Sequence, residues 1–457
     1  MNLTKKLKRG DSMKKNLFLV ISALAVVLSF TSCGKKAEKS ADGQTLKLAV
    51  VETAYGAQKW HQVVAAFEEL NPGVKVELTI DKKLEDLIDP SIKAGKYPDV
   101  IMRAVGGAQG FTEKFVKGKQ LENLDSVLAM NVPGESVKVG DKILNGFVDN
   151  ATCQPYGDGK TYLMPMFYSP CGLFYDADLL ADNGWTVPQT WDEMWELGDK
   201  AKAKGISLFT YPTSGYFDAF LYALLHETMG PAMYDKAMNF AEGIWETPEA
   251  KQAFDIIAKL TKYTEPTTPA NANDSNFTKN QQLILDGKAL FMPNGTWVVG
   301  EMANAPRRDG FKWGFTALPA VKKGGERASF GWFEQVWMPS QAKNKDLGKE
   351  FIAFLYSDKA GQIFAKATED GGPAIQPIFG LAEKLSGDDK MFYSIYDTGA
   401  TAVMSSFAKF DPIPGVSVRT TFLEPVDSLV TGDKSLDEYI AQIVKDSDKM
   451  RANLKKN

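Results

Sequence analysis

Four stretches of this chain set an aromatic ring beside glycine, amide and carboxylate groups: Glu52 to Tyr55, Tyr211 to Asp218, Asn294 to Trp297, and Gly331 to Glu334. These are the ingredients of a site for a neutral, polyhydroxylated ligand. The C–H face of a pyranose is apolar and lies flat on an indole or phenol, while its hydroxyls need fixed donors and acceptors such as amides and carboxylates. Trp297 and Trp332 are the candidate stacking rings, and Glu52, Tyr55, Asp218, Glu334 and Asn294 the candidate polar partners. Tyr168 and Arg103 are further candidates. Trp60 shares a helical stripe with Val63 and Phe67, so it reads as core, and Trp191 and Trp195 likewise read as packing residues.

Other chemistries find little support. The chain has 2 histidines, His61 and His226, which removes multi-histidine metal sites and the commonest general base. No G-x-G-x-x-G follows a strand, and no P-loop, H-E-x-x-H, EF-hand loop or G-x-S-x-G elbow occurs. Paired carboxylates of the glycosidase kind remain available, but a chain with 57 acidic residues always offers some pair. No catalytic residue, metal or cofactor is expected.

The elements that must position these residues belong to a large globular protein. At 457 residues, 44% hydrophobic, the chain calls for more than one folding unit, since single cores stop growing at roughly 250 to 300 residues. A formal charge of −4 gives no basic excess for nucleic acid. Leu46, Leu48 and Val50 alternate as a strand, and Trp60, Val63, Phe67 and Leu70 follow at helical spacing. Val74, Val76, Leu78 and Ile80 then alternate after Pro72-Gly73, completing a βαβ unit. Asp99 to Val105, ending in Gly106-Gly107, is a further strand, so the opening 110 residues read as a doubly wound parallel sheet, with ligands favouring the carboxyl ends of the strands. Thr190 with Glu193 and Ser435 with Glu438 are capping boxes, and Thr247 with Pro248 is a helix start. Glu265 to Asp274 and Ala320 to Arg327 read as loops.

The first residues form an export signal: basic Met13-Lys14-Lys15, an apolar run from Leu17 to Phe30, then Thr31-Ser32-Cys33. Removing residues 1–32 leaves 47 basic residues (53 less 6) and 56 acidic ones (57 less 1), a net charge of −9. Gly34 to Gln44 reads as a polar tether. Cys153 and Cys171 are then an even pair in a compartment that permits disulfides, although strand cysteines are equally often small buried hydrophobes.

Two longer segments carry a resemblance. "GKTYLMPMFYSPCGLFYDADLLADNGWTVPQTWDEMWELGDKAKAKGI" (Gly159 to Ile206) closely resembles extracellular solute-binding proteins of bacterial carbohydrate ABC transporters. "FTKNQQLILDGKALFMPNGTW" (Phe277 to Trp297) is similar to the segment that delivers a stacking tryptophan there, and "FGWFEQVWMPSQAKNKDLGKEFIAFL" to a second crossover and its helix. The resemblance covers essentially residues 46 to 457. Tyr-Asp in "GLFYDADLL" replaces a commoner Tyr-Asn, and "SFGWFEQVW" is bulkier than the usual glycine-rich crossover, which bears on pocket size. The "NGTWVVGEM" pattern is most similar to the subgroup binding N-acetylglucosamine or its β-linked disaccharide, chitobiose.

That resemblance implies an α/β, periplasmic-binding-protein-like fold of type II: two lobes joined by crossing segments, with a central ligand cleft. The expected partition is a signal peptide over 1–32, a tether over 33–45, lobe 1 from 46–170 with 336–395, and lobe 2 from 171–335 with 396–457. Thr31-Ser32-Cys33 resembles a lipoprotein signal in which Cys33 is diacylated, with Phe30 departing from the usual leucine. The implied partners are a carbohydrate ligand and ABC permease subunits in the membrane. The implied state is a monomer held outside the cytoplasm by lipidated Cys33. A secreted glycoside hydrolase and a ligand-sensing lipoprotein of a chemoreceptor system are the alternatives.

Overall fold

The alternation at Leu46, Leu48 and Val50 becomes β1 (Gln44–Val51), whose residues from Leu46 onward are buried apart from Lys47. Gln44, placed in the tether by sequence, is already its first residue. In the computed structural model, residues 44–105 and 110–454 are described; the signal segment, Cys33, the tether to residue 43 and Gly106-Gly107 lie outside them. α1 (Gln58–Leu70) buries Trp60, Val63 and Phe67, as its spacing demands. Trp60 sits edge-on to Phe364 at 5.0 Å, which makes it core. β1 pairs in parallel with β2 (Val74–Asp81) on one side and β3 (Val100–Met102) on the other, with α2 (Leu84–Lys93) between β2 and β3. The strand expected from Asp99 to Val105 is thus only three residues long. Asp99 instead turns its buried carboxylate back to accept from the backbone N–H groups of Lys47, Lys343 and Asn344 at 2.9, 3.0 and 2.9 Å.

The parallel run is interrupted at β3. Its far neighbour is β8 (Ala328–Trp337), antiparallel, which pairs in turn with β4 (Leu163–Asp176). β4 also pairs with β6 (Ala289–Gly295) and β7 (Trp313–Thr316), while β6 with β5 (Ser207–Phe209) and β8 with β9 (Thr401–Val403) are parallel again. The described strands form a nine-stranded sheet of order β2-β1-β3-β8-β4-β6-β5, with β7 and β9 as side partners of β4 and β8. Two hydrophobic cores flank the crossing pair. Leu163, Met164 and Phe167 of β4 and Val336 and Trp337 of β8 enter the first core; Cys171 and Leu173 of β4 and Ala328 and Phe330 of β8 enter the second. The β4/β8 register shifts between Pro165 and Tyr168, within the stretch of β4 whose side chains enter the first core.

The helix starts follow their signals. Before α3 (Trp191–Lys202), Thr190 accepts from Glu193 N–H, but the Glu193 carboxylate takes the N–H of Gln189, one residue earlier than a standard capping box. Before α4 (Pro248–Thr261) the Thr247 hydroxyl accepts from Ala250 N–H, and before α5 (Leu436–Ala452) Ser435 and Glu438 bond reciprocally. Trp191 and Trp195 stack on one another at 5.3 Å as core residues. The loop expected from Glu265 to Asp274 contains a helical turn, Thr268–Asn271, whose Thr268 carbonyl accepts from buried Asn280 at 2.9 Å.

The cysteine expectation is corrected. Cys153 and Cys171 are separate, buried free thiols. Cys153 lies in a turn rather than a strand and donates its thiol to the Phe147 carbonyl at 3.1 Å, while Cys171 is part of β4. Each fills core space as a small hydrophobe, and burial pushes both thiols up from their ordinary pKa.

β7 reaches β4 only because Gly172 has no side chain. A β-carbon there would lie 2.6 Å from the Thr316 carbonyl oxygen and 2.9 Å from the Phe315 ring. Gly172→Ala is therefore expected to lower stability by about 1–3 kcal/mol, the usual cost of overpacking, read as a shift of the urea midpoint at unchanged slope.

Candidate functional site

The second aromatic stretch forms a single 3₁₀ turn, Ser214–Tyr216, capped by Thr213, whose hydroxyl accepts from Gly215 N–H at 3.1 Å. It runs into the long helical segment Phe217–Met238, which puts Asp218 in that segment's first turn. β6 ends at Asn294-Gly295, and the chain turns through Thr296 so that Trp297 caps the short helix Val298–Glu301. Gly295 is obligatory for this turn, because a β-carbon there would fall 2.1 Å from the Trp297 ring. The indole therefore lies directly on the end of β6.

These elements, with Trp332 of β8, enclose a cavity of about 360 Å³ lined by Thr213, Tyr216, Asp218, Asn294, Trp297 and Trp332, and also by Asp274 and Arg419. Tyr216 stands edge-on to Trp297 at 5.8 Å and donates its hydroxyl to Glu301 Oε1 at 3.1 Å. Glu301 is held in turn by Gln281 at 2.7 Å. Burial and the Glu301 charge push the Tyr216 phenol up to about 12. Trp332 rests edge-on against Phe330 at 5.0 Å and leaves 43% of its surface exposed, uncommon for so large an apolar ring. Arg419 pairs with Asp274 at 3.6 Å and Glu424 at 3.0 Å, so its charge is countered locally.

The structure thus brings together Trp297, Trp332, Asp218 and Asn294 from three of the four stretches. Asn294 is 1% exposed overall, with its Oδ1 accepting from Gly295 N–H at 2.9 Å. Thr213, Gly215 and Tyr216 were contained in the Tyr211 to Asp218 stretch without being singled out. Asp274 sits in a segment that read as loop, and Arg419 opens a π-helical turn, Arg419–Leu423, which no periodicity marks.

The remaining candidates lie elsewhere. Tyr168 is a core residue rather than a cleft residue: it is 2% exposed, stands edge-on to Phe147 at 5.0 Å, and donates its hydroxyl to the Tyr393 carbonyl at 3.1 Å. Arg103 is committed to buried Glu85, 2.5 Å away. Glu52 is 3.8 Å from Lys82 at the end of β1. Tyr55 and Glu334 lie close enough for the Glu334 charge to act on the phenol, in company with Tyr393 and Ser169. One Glu334 oxygen, Oε2, is enclosed and without a hydrogen-bond partner.

Two of the candidate carboxyls are electrostatically shifted. Burial pushes Asp218 up to about 7, against which the Ala219 N–H bond works. Burial likewise pushes Glu334 up to about 7, opposed by the Arg103 charge. A carboxyl half-protonated near neutrality can donate as well as accept a hydrogen bond, which suits a ligand whose hydroxyls do both.

Residues 62–378 match the family described as bacterial extracellular solute-binding protein, and this chain belongs to that family. Among its relatives is the diacetylchitobiose binding protein NgcE of Streptomyces coelicolor, 27% identical over 73% of this chain and 72% of that protein. The maltodextrin-binding protein MdxE of Bacillus subtilis is 23% identical over 91% of this chain and 92% of its own. Among solved structures, apo RafE from Streptococcus pneumoniae superposes with a TM-score of 0.68 at 16% identity, covering 91% of this chain and all of that one, and MalE from Xanthomonas citri with 0.66 at 16%, covering 90% and 98%. At these identities the superpositions show the fold, which is that of sugar-binding periplasmic proteins. The named relatives are binding proteins.

A carboxyl whose folded pKa is raised favours the fold at low pH and ceases to do so as pH rises through the folded value. From about pH 4 to about pH 7, Asp218 and Glu334 should each lower stability with rising pH, by up to about 1.4 kcal/mol per pH unit. Asp218→Asn and Glu334→Gln should each flatten that slope, measured as urea midpoint against pH.

Proposed function

We propose that this protein captures a short saccharide outside the cytoplasm and hands it, chemically intact, to an ABC permease. The observation that carries this reading is the cavity in which Trp297 and half-exposed Trp332 meet Asp218 and Asn294. An aromatic ring buries about 150–250 Å² and gains roughly 25 cal/mol per Å², so one covered face contributes ~2–3 kcal/mol. Two faces supply ~4–6 kcal/mol, and hydrogen bonds at about 1 kcal/mol each bring the total toward the ~8 kcal/mol of micromolar binding. The relationship to NgcE and the sequence pattern around Trp297 favour β-linked N-acetylglucosamine disaccharides as ligand.

In this reading there are two lobes, near 46–170 with 336–395 and 171–335 with 396–457, linked through β4 and β8. A ligand touching both lobes binds a closed arrangement better than an open one, and so shifts the population toward it. Asp218, Asn294, Trp297 and Trp332 contact the sugar first, with Tyr55 and Glu334 on the flank. No helix among the described residues is long and apolar enough to cross a membrane. Retention at the membrane is assigned to lipidated Cys33, since two acyl chains anchor far more firmly than one.

A melting screen with diacetylchitobiose, maltotriose and raffinose tests the ligand. At 100 times its dissociation constant the correct sugar stabilises by about 2.7 kcal/mol and is recovered unaltered; release of cleaved product would overturn the reading in favour of a hydrolase. Trp297→Ala should abolish the shift and leave the unliganded melt nearly unchanged. Cys33→Ser should move the protein from the membrane fraction to the soluble extracytoplasmic fraction.

A further inference from the structure

Lys59, in the first turn of α1, is 1% exposed. Lysine is almost never so buried unless its ammonium is fully partnered. Here all three donors are used: Nζ donates to the Tyr55 carbonyl at 2.8 Å, to Thr368 Oγ1 at 2.9 Å and to the Gly371 carbonyl at 3.1 Å. Lys59 and Gly371 are 312 positions apart, so one side chain ties the loop after β1 to a distant turn.

Asp370 closes the same junction from outside. Its Oδ2 accepts from Ala57 and Gln58 N–H at 2.7 and 2.8 Å, and its Oδ1 accepts from the Thr368 hydroxyl at 2.8 Å. Gly372 N–H donates to the Ala54 carbonyl at 3.3 Å. The fit leaves no slack: a β-carbon on Gly371 would lie 2.1 Å from the Tyr55 carbonyl carbon, and one on Gly56, whose φ is +77°, 2.6 Å from the Asp370 carboxyl.

Tyr55 is what the junction holds. Its ring meets Phe167 edge-on at 5.2 Å, and its phenol lies beside Glu334, Tyr393 and Ser169. Tyr393 borders Thr296, the residue before Trp297. The phenol stands outside the residues that line the cavity, with Tyr393 and Thr296 between it and Trp297. An ammonium with three converging acceptors fixes a loop in position more stringently than apolar contacts, which tolerate sliding.

We infer that Lys59 and Asp370 are positioning residues for ligand recognition: they hold the loop at residues 53–57 so that the Tyr55 phenol meets a ligand hydroxyl at a preset place. This rests on the saccharide-binding reading above. The test is a double-mutant cycle by titration calorimetry with diacetylchitobiose and maltotriose, on wild type, Lys59→Met, Tyr55→Phe and the double variant. If Lys59 acts through the phenol, each single change weakens binding about tenfold and the double variant is within about twofold of the weaker single, because coupled sites are not additive. Asp370→Ala, which leaves the buried lysine in place, should weaken binding about threefold, and not in the Tyr55→Phe background; it decides the matter if Lys59→Met does not fold. Losses that multiply, or an unchanged affinity in Lys59→Met or Tyr55→Phe, overturn the inference while the wild-type affinity stands. A wild type that binds neither sugar overturns the saccharide reading, and the inference with it.

Discussion

The antiparallel pairing of β4 with β8 is the constraint on which the rest depends. Strand pairing ties the backbones of β4 and β8 together, and this pair spans both cores, reaching the first through Leu163 and Val336 and the second through Leu173 and Phe330. A register shift interrupts the ladder between Pro165 and Tyr168, and bends of this kind also raise local twist. Trp332 can stand exposed because it belongs to the stretch of β8 between the two cores. Asn294 is delivered by β6, bonded to the far half of β4. Ring and amide face one cavity because β8 and β6 flank the same strand, β4.

Much of the scaffold was legible in the sequence because it is governed by local periodicity. The βαβ start, the three helix starts and the packing roles of Trp60, Trp191 and Trp195 follow from spacing and caps alone. What was not legible is decided at long range. β3 stops at Met102, and beyond it the Arg103 carbonyl accepts from the Thr112 hydroxyl and the Trp337 indole while Val105 N–H donates to the Gln335 side chain, from a strand some 230 residues away. The burial of Tyr168 was hidden for a related reason: on a strand buried along nearly its whole length, alternation cannot say which ring faces a cleft and which a core. Cys153 and Cys171 have a separation that permits pairing, but nothing in that separation states that one lies in a turn and the other in a strand.

The candidate site shows the same division. Aromatic, amide and acid groups beside glycine marked Trp297, Trp332, Asp218 and Asn294, since the chemistry of the ligand constrains residue type. Arg419 and Asp274 escaped because their relation to the cavity is made by tertiary contact, in a π-helical turn and an irregular loop. The acids were visible as acids but not as near-neutral groups: burial, a property of the fold, moves Asp218 and Glu334 toward 7. Residue type names the functional groups present, and the fold sets their protonation.

The missing side chain at position 295 has a consequence for how such a protein can change. With the Trp297 ring occupying the place where a β-carbon would stand, the indole packs onto bare backbone, a seat that any other residue at 295 would deny it. That packing makes positions 295 and 297 a single heritable unit. A mutation adding bulk at the first dislodges the ring at the second and with it the Tyr216 contact, so drift toward a new ligand is channelled to the wall formed by Trp332, which rests on Phe330.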